Sequence, residues 1–177
     1  MNKLKEETIS SEYKYNGHII NFRIDNVKLS DGQIHFREVI EHPGGVVIIP
    51  IVDKTKVALV KQWRHPIKSE LIEFPAGKLN KGEDPFLAAQ RELQEETGFV
   101  ANSWKSLGFI YTAPGFCDER LYLYMAEDLT FTETNFDYGE MIEPYVIEID
   151  KALEMVKNGQ INDAKTIVGL SYINMLK

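Results

Sequence analysis

Three glutamates, Glu92, Glu95 and Glu96, stand three and four positions apart in the run Arg91-Glu92-Leu93-Gln94-Glu95-Glu96-Thr97-Gly98. The run carries the signals of a helix from Asp84 to Gly98: Asp84 suits the N-cap, Pro85 the first helical position and Gly98 the stop. At about 100° per residue, Phe86, Ala89, Leu93 and Thr97 form a stripe that packs inward, and the three glutamates fall on an adjoining arc. Like charges at these spacings repel by roughly 0.2–0.5 kcal/mol per pair. A cation would reverse that sign. Carboxylate oxygens are the ligands of hard divalent ions, and Mg²⁺ takes one or two carboxylates together with waters and substrate phosphates. The same three residues also describe a solvated acidic face, so the surrounding residues must decide between the two readings.

Those residues match a longer pattern. Gly77, Glu83, Arg91, Glu92, Leu93, Glu95, Glu96, Gly98 and Phe99 fill every fixed position of G-x5-E-x7-R-E-U-x-E-E-x-G-U, where U is a bulky apolar residue. This is the Nudix box, and the chain resembles a Nudix hydrolase. The resemblance implies a Nudix α/β/α sandwich, an α/β fold with a mixed sheet, in which a strand–loop–helix unit holds Mg²⁺, or alternatively Mn²⁺, against a pyrophosphate. Two or more ions are expected. It further implies that Glu92 and Glu96 are principal metal ligands and Glu95 a third ligand or its support, with the Ala76 carbonyl also on the metal. Gly77, Glu83, Arg91 and Gly98 then have structural roles, Glu83 and Arg91 by pairing. Bound cations neutralise developing charge in pyrophosphate cleavage and make a bound water a better nucleophile.

Flanking residues narrow the resemblance to the ADP-ribose pyrophosphatase subgroup. Pro114 follows Phe99 by fifteen positions, within Tyr111-Thr112-Ala113-Pro114-Gly115-Phe116. Lys61-Gln62-Trp63-Arg64, Glu70 to Gly77, Gly115 to Arg120 and Gln160 to Thr166 are also similar to that subgroup. The resemblance spans about residues 15 to 175. It implies hydrolysis of ADP-ribose to AMP and ribose 5-phosphate. Arg64 is then a phosphate clamp, because a guanidinium presents paired donors and keeps its charge. Arg37 and Glu38 are substrate-binding candidates near the adenine, with Phe22 or Tyr15 as a further ring. Glu73 is a candidate substrate or metal contact, and Pro114 belongs to the substrate-binding set. Glu119, in Pro-Gly-x-x-x-Glu-Arg, is the candidate general base alongside Glu95 and Glu96, with Glu140 and Glu143 as alternatives.

These side chains need a scaffold. Alternation and turn residues predict strands at His18–Leu29 and Gln33–Glu41, joined through Ser30-Asp31-Gly32, and at Val46–Val52, Lys56–Trp63 and Leu71–Ala76. Later strands are expected at Ser106–Thr112, Leu121–Glu127 and Tyr145–Ile149, and helices at Lys151–Lys157 and Asp163–Leu176. The organisation expected is an N-terminal β-hairpin extension over residues 1–42, for dimerisation and substrate contacts, and a Nudix domain over 43–177, the two forming a single structural unit. A homodimer through the hairpin is implied by the resemblance.

Composition excludes several other functions. The 177 residues are 44% hydrophobic, enough for one core. Twenty Lys+Arg against 27 Asp+Glu give a net charge of −7 with no basic cluster, which disfavours nucleic acid as a partner. No apolar run approaches a membrane span and the start lacks a signal-peptide core, so a cytoplasmic protein with no membrane partner is expected. Cys117 is the sole cysteine, and no histidine stands near it in sequence to make it a nucleophile. His18, His35, His42 and His65 lack zinc-site spacing. Lys78 and Lys81 read as solvated loop residues. The partner expected is a nucleoside diphosphate sugar. Another nucleoside diphosphate sugar, NADH or a dinucleoside polyphosphate remains an alternative substrate, and a non-hydrolytic nucleotide-sensing module an alternative class.

Overall fold

The computed structural model describes residues 3–136, 139 and 141–175. They fall into two compact units, one formed by residues up to 44 together with 111–120, the other by 45–110 together with the residues from 121 onward.

The first unit is built on a three-stranded antiparallel sheet of β1 (Glu7–Asn16), β2 (Asn21–Lys28) and β3 (Ile34–Glu41), in that spatial order. The β2–β3 turn falls at the expected Ser30-Asp31-Gly32. Gly32 takes φ +87°, Leu29 N–H donates to Gln33 O at 2.9 Å, and Asp31 Oδ1 accepts from the Gln33 amide at 3.0 Å. The structure corrects the start of the first expected strand. His18 to Ile20 form a turn closed by Gly17 N–H donating to Ile20 O, and β2 begins at Asn21. A further strand, β1, precedes it. All ten of its residues are exposed, and its sequence, with Ile9, Tyr13 and Tyr15 among polar residues, carries only a weak alternation.

In the second unit, a four-stranded sheet runs in the order β7 (Ala76–Lys78), β4 (Gly45–Pro50), β9 (Arg120–Phe131), β8 (Phe99–Tyr111), with β4 and β9 parallel. β4 is buried along its whole length because both its faces are covered. Val46 and Ile48 face α1 (Pro85–Thr97) in a cluster with Ala88, Ala89 and Leu93. Val47 and Ile49 face a larger core shared with α2 (Ile149–Lys157) and α3 (Ala164–Met175). Full burial of each such side chain is worth about 1.5–3 kcal/mol. A second sheet, in the order β10 (Ile142–Glu148), β5 (Lys56–Arg64), β6 (Ser69–Glu73), adds Val57 and Leu59 to that larger core. This is the α/β/α sandwich with a mixed sheet.

The segment Leu71–Ala76, expected as one strand, is divided between the two sheets. Proline has no N–H for a ladder, and at Phe74-Pro75 the chain leaves β6 for β7. Phe74 N–H donates to Thr166 Oγ1 at 2.8 Å, and the Pro75 carbonyl accepts from Ile48 at 2.9 Å. β8 and β9 are longer than expected, and Ile149 opens α2 rather than closing a strand. Leu176, the expected end of the last helix, lies outside the described residues.

The ends of α1 follow local chemistry. Asp84 Oδ1 accepts from the amides of Phe86 and Leu87 at 2.9 and 3.2 Å, Pro85 opens the helix, and Gly98 closes it at φ +73°. A Cβ on Gly98 would lie 2.8 Å from Phe131 Cε2. Gly98→Ala is therefore expected to lower unfolding free energy by about 1–3 kcal/mol, from the left-handed backbone alone or with the clash added. Denaturant titration checks this, and an unchanged midpoint would show that the helix end can rearrange.

Candidate active site

The acidic face of α1 is organised by one arginine. Arg91 Nη1 donates to Glu92 Oε1 at 2.7 Å and to Glu95 Oε2 at 2.8 Å. Its Nε and Nη2 reach the two oxygens of Glu83 at 3.1 and 3.3 Å, and Glu83 Oε2 also accepts from the Asn80 amide at 2.8 Å. Burial works against the Arg91 charge, but Glu83, Glu92 and Glu95 outweigh it and raise its pKa further. The Asn80 amide, then Arg91, hold the Glu83 carboxyl below its ordinary value. Glu96 is buried and accepts from the Ala76 amide at 3.0 Å. Among the described residues, no three acidic, histidine or cysteine side chains already converge in a cage for a metal ion. One guanidinium against four carboxylates still leaves this surface negative.

A divalent ion fits the chemistry of these groups. The donors are all oxygens, as Mg²⁺ or Mn²⁺ prefers. Gly77 follows Ala76 in β7 so closely packed that a Cβ there would fall 1.8 Å from the Glu92 carboxyl carbon. Only glycine lets that backbone and that carboxylate share the space. Beside α1, Arg91, Gln94, Glu95, Glu133, Thr134 and Asn135 border an open cleft of about 580 Å³, with the Asn135 amide donating to the Glu95 carbonyl at 3.1 Å.

A second charged cluster lies at the end of β5. Arg64 Nε and Nη2 form a two-pronged pair with the oxygens of Glu73, at 2.8 and 2.6 Å. Glu73 is fully buried and also accepts from Lys165, which is 3.0 Å from Asp163 Oδ2. Burial pushes the Glu73 carboxyl up, but hydrogen bonds from Arg64 and Lys165 outweigh it and hold the group below its ordinary value. Glu73 likewise raises Arg64, and the field of Glu96 adds to it. The Arg64 side chain remains 39% exposed, so it has a face for a ligand. Gln62, two residues earlier on the same face of β5, has a buried amide nitrogen with no hydrogen-bond partner.

Most of the remaining candidates belong to the first unit. Glu119 is partly buried. Its Oε2 accepts from the Thr112 hydroxyl at 2.6 Å, and its Oε1 is 3.3 Å from His42 Nδ1. The His42 amide donates to Asp118 Oδ1 at 2.8 Å, Ile40 N–H to Phe116 O at 2.7 Å and Asp118 N–H to Ile40 O at 3.1 Å, so residues 116–119 are stitched to the end of β3. Pro114 is exposed in the turn closed by Phe116 and Cys117 amides on the Ala113 carbonyl. Arg37 pairs with Glu6 on the surface, and Glu38 is exposed opposite Ile24. Tyr15 is exposed and Phe22 half-buried. Glu143 is exposed on β10, and Glu140 lies outside the described residues.

Lys165, Asp163, Thr166 and Gln62 lie in segments similar to the subgroup, but the sequence assigns no individual role to them or to His42. The Asp-Ala-Lys-Thr run was visible as a helix start, but Lys165 and Glu73 are ninety-two positions apart and nothing local joins them.

A glycine-backed acidic helix on an α/β/α sandwich defines a class of protein, and comparison identifies it. The NUDIX domain family model matches residues 41–167, and the chain belongs to the Nudix family. It is 37% identical to the ADP-ribose pyrophosphatase of Bacillus subtilis, over 99% of this chain and 96% of that one. It is 39% identical to an ADP-ribose pyrophosphatase of Mycobacterium tuberculosis, over 93% and 81%, and 39% identical to the methanol dehydrogenase activator of Bacillus methanolicus, over 99% and 96%. Among solved structures, an ADP compounds hydrolase superposes with a TM-score of 0.87 at 22% identity, covering 99% of this chain and 96% of the other, which shows a shared fold.

The Gly77 contact is directly testable. Gly77→Ala is expected to displace Glu92 and weaken Mn²⁺ binding by roughly ten- to a hundredfold. Calorimetric titration with Mn²⁺ reads this, and unchanged affinity would remove Glu92 from the metal site.

Proposed function

We propose that this protein hydrolyses the pyrophosphate of ADP-ribose to AMP and ribose 5-phosphate, with Mg²⁺, or Mn²⁺ in its place, and with two or more ions at the site. The observation that carries the reading is the Gly77 backbone pressed against Glu92 beside Glu95 and Glu96, in a chain 37–39% identical to two ADP-ribose pyrophosphatases. In this reading Glu92, Glu95, Glu96 and the Ala76 carbonyl hold the ions, and Gly77, Glu83, Arg91 and Gly98 keep the loop and helix in place. The bound ions would supply charge neutralisation and a lowered pKa for the attacking water.

The chain's own groups do the rest. Arg64 binds a phosphate through donors that Glu73 leaves available, so the developing charge meets a cation already oriented. Glu119 accepts the proton of the attacking water at one of its carboxylate oxygens, and the Thr112 hydroxyl orients that carboxylate. Arg37 and Glu38, with Pro114, contact the nucleoside end, and the cytoplasm is the compartment of this activity.

A substrate panel of ADP-ribose, GDP-mannose, NADH and a dinucleoside polyphosphate, with Mg²⁺ and with EDTA, tests the reading. GDP-mannose belongs in it because GDP-mannose pyrophosphatases of Escherichia coli are 31% identical over 97% of this chain. AMP and ribose 5-phosphate are expected from ADP-ribose, abolished by EDTA and reduced at least roughly a hundredfold in Glu96→Gln. Faster turnover of another compound would replace ADP-ribose, and no turnover of any would favour a nucleotide-sensing module. Full turnover in Glu119→Gln would remove Glu119 as the base.

The same reading includes a homodimer through the N-terminal sheet. Its support is that Tyr15, Ile34 and Phe36, which the strand register places on one face of the sheet, are all exposed. Sedimentation equilibrium is expected to give twice the mass of one chain, and a monomer at micromolar concentration would rule the dimer out.

A further inference from the structure

Glu73 is a carboxylate with no exposed surface, and such a group persists only where cations and hydrogen bonds surround it. Arg64 supplies two of those bonds, one to each oxygen. Lys165 supplies another, to the Oε2 that Arg64 Nη2 also uses. The two cations differ in how firmly they are held. Arg64 ends β5, is 39% exposed, and is followed by a short helical turn and Lys68 in a left-handed conformation. Lys165 is only 11% exposed and is fixed from both sides. Its ammonium bridges Glu73 and Asp163, and Asp163 Oδ2 accepts from both the amide and the hydroxyl of Thr166, at 3.0 and 2.7 Å, capping α3. Thr166 Oγ1 in turn accepts from the amide of Phe74, the neighbour of Glu73. The first turn of α3 is thus pinned to the β6 end at two adjacent residues.

The chain of control therefore runs from α3 to Glu73 and from Glu73 to Arg64. A two-pronged pair fixes the plane of a guanidinium only if the carboxylate is itself fixed. We propose that Lys165 is a positioning residue for phosphate recognition: by locking the Glu73 carboxylate, it sets the plane in which Arg64 meets the diphosphate of the substrate. This rests on Arg64 being the phosphate clamp of the proposed function. Lys165 makes no contact with substrate in this role, and it acts through Glu73.

The test is calorimetric binding of α,β-methylene-ADP, a diphosphate that is not hydrolysed, to the full chain with Mg²⁺ present, together with steady-state kinetics on the substrate the wild type turns over. Lys165→Met is expected to bind roughly tenfold more weakly and to raise KM by a similar factor with kcat nearly kept, as loss of one oriented contact would do. Lys165→Arg is expected to restore most of the affinity. In an Arg64→Ala background, Lys165→Met is expected to have no further effect on binding, a coupling that a role in stability alone would not produce. Glu73→Gln combined with Lys165→Met removes the buried charge that the single variant leaves to Arg64 alone, so it is expected to recover the Tm lost in the single variant while binding stays weak.

Wild-type affinity in Lys165→Met overturns the proposal. So does a tenfold loss that persists in the Arg64→Ala background, or binding that returns with Tm in the Glu73/Lys165 double variant. A wild type that binds the diphosphate yet leaves ADP-ribose intact overturns only the substrate. One that binds no diphosphate overturns the clamp and the role of Lys165 together.

Discussion

The site depends on crowding negative charge onto one helix face without letting it repel the helix apart, and Arg91 makes that arrangement stable. A planar guanidinium has five N–H donors, enough to serve Glu83, Glu92 and Glu95 from one position. Two of those partners are on α1 and the third is on the loop before it, so the same contacts that offset repulsion also tie loop to helix. Arg91 also holds Glu92 by Oε1, the same oxygen that lies against the Gly77 backbone, so one contact keeps that carboxylate close to β7.

Around this point the sandwich supplies rigidity from both sides. β4 shares one face with α1 and the other with α2 and α3, so the acidic helix rests on a strand that cannot shift without disturbing the larger core. The break at Phe74-Pro75 sends the chain from one sheet to the other beside that strand, and places Glu73 and Ala76 three residues apart in different sheets. Arg64 and Glu96 feel each other's fields for this reason. Cation and anion reach the same region from separate layers.

What could be read from the sequence follows from the range of the interactions involved. The ends of α1 were legible because Asp84, Pro85 and Gly98 act on their own immediate backbone. The acidic face was legible because helix geometry turns spacing into direction. β4 was legible as a strand because its residues are apolar without interruption. β1 was not, since it buries nothing and its pairing is determined by β2. The division of Leu71–Ala76 was hidden for a similar reason: Pro75 signals a break, but not which sheet receives the next strand. The Glu73 network was least accessible of all, because a buried carboxylate looks like any other glutamate until the distant lysine that compensates it is in place. The partners of Glu119, Thr112 and His42, were obscured in the same way, one of them seventy-seven positions away by number and only 3.3 Å away in space.

The bond from the Phe74 amide to the Thr166 hydroxyl has a consequence for how the molecule is made. During synthesis the chain emerges from its N-terminus, and domains form as their parts become available. Arg91, the glutamates around it and β4 are all present long before α3 leaves the ribosome. Until it does, the Phe74 amide lacks its Thr166 acceptor and Glu73 lacks its lysine. A helix translated well after the acidic helix is thus the one that completes the cluster around Glu73. A chain truncated before residue 165 would carry the full signature block and still be unfinished at the position next to Pro75.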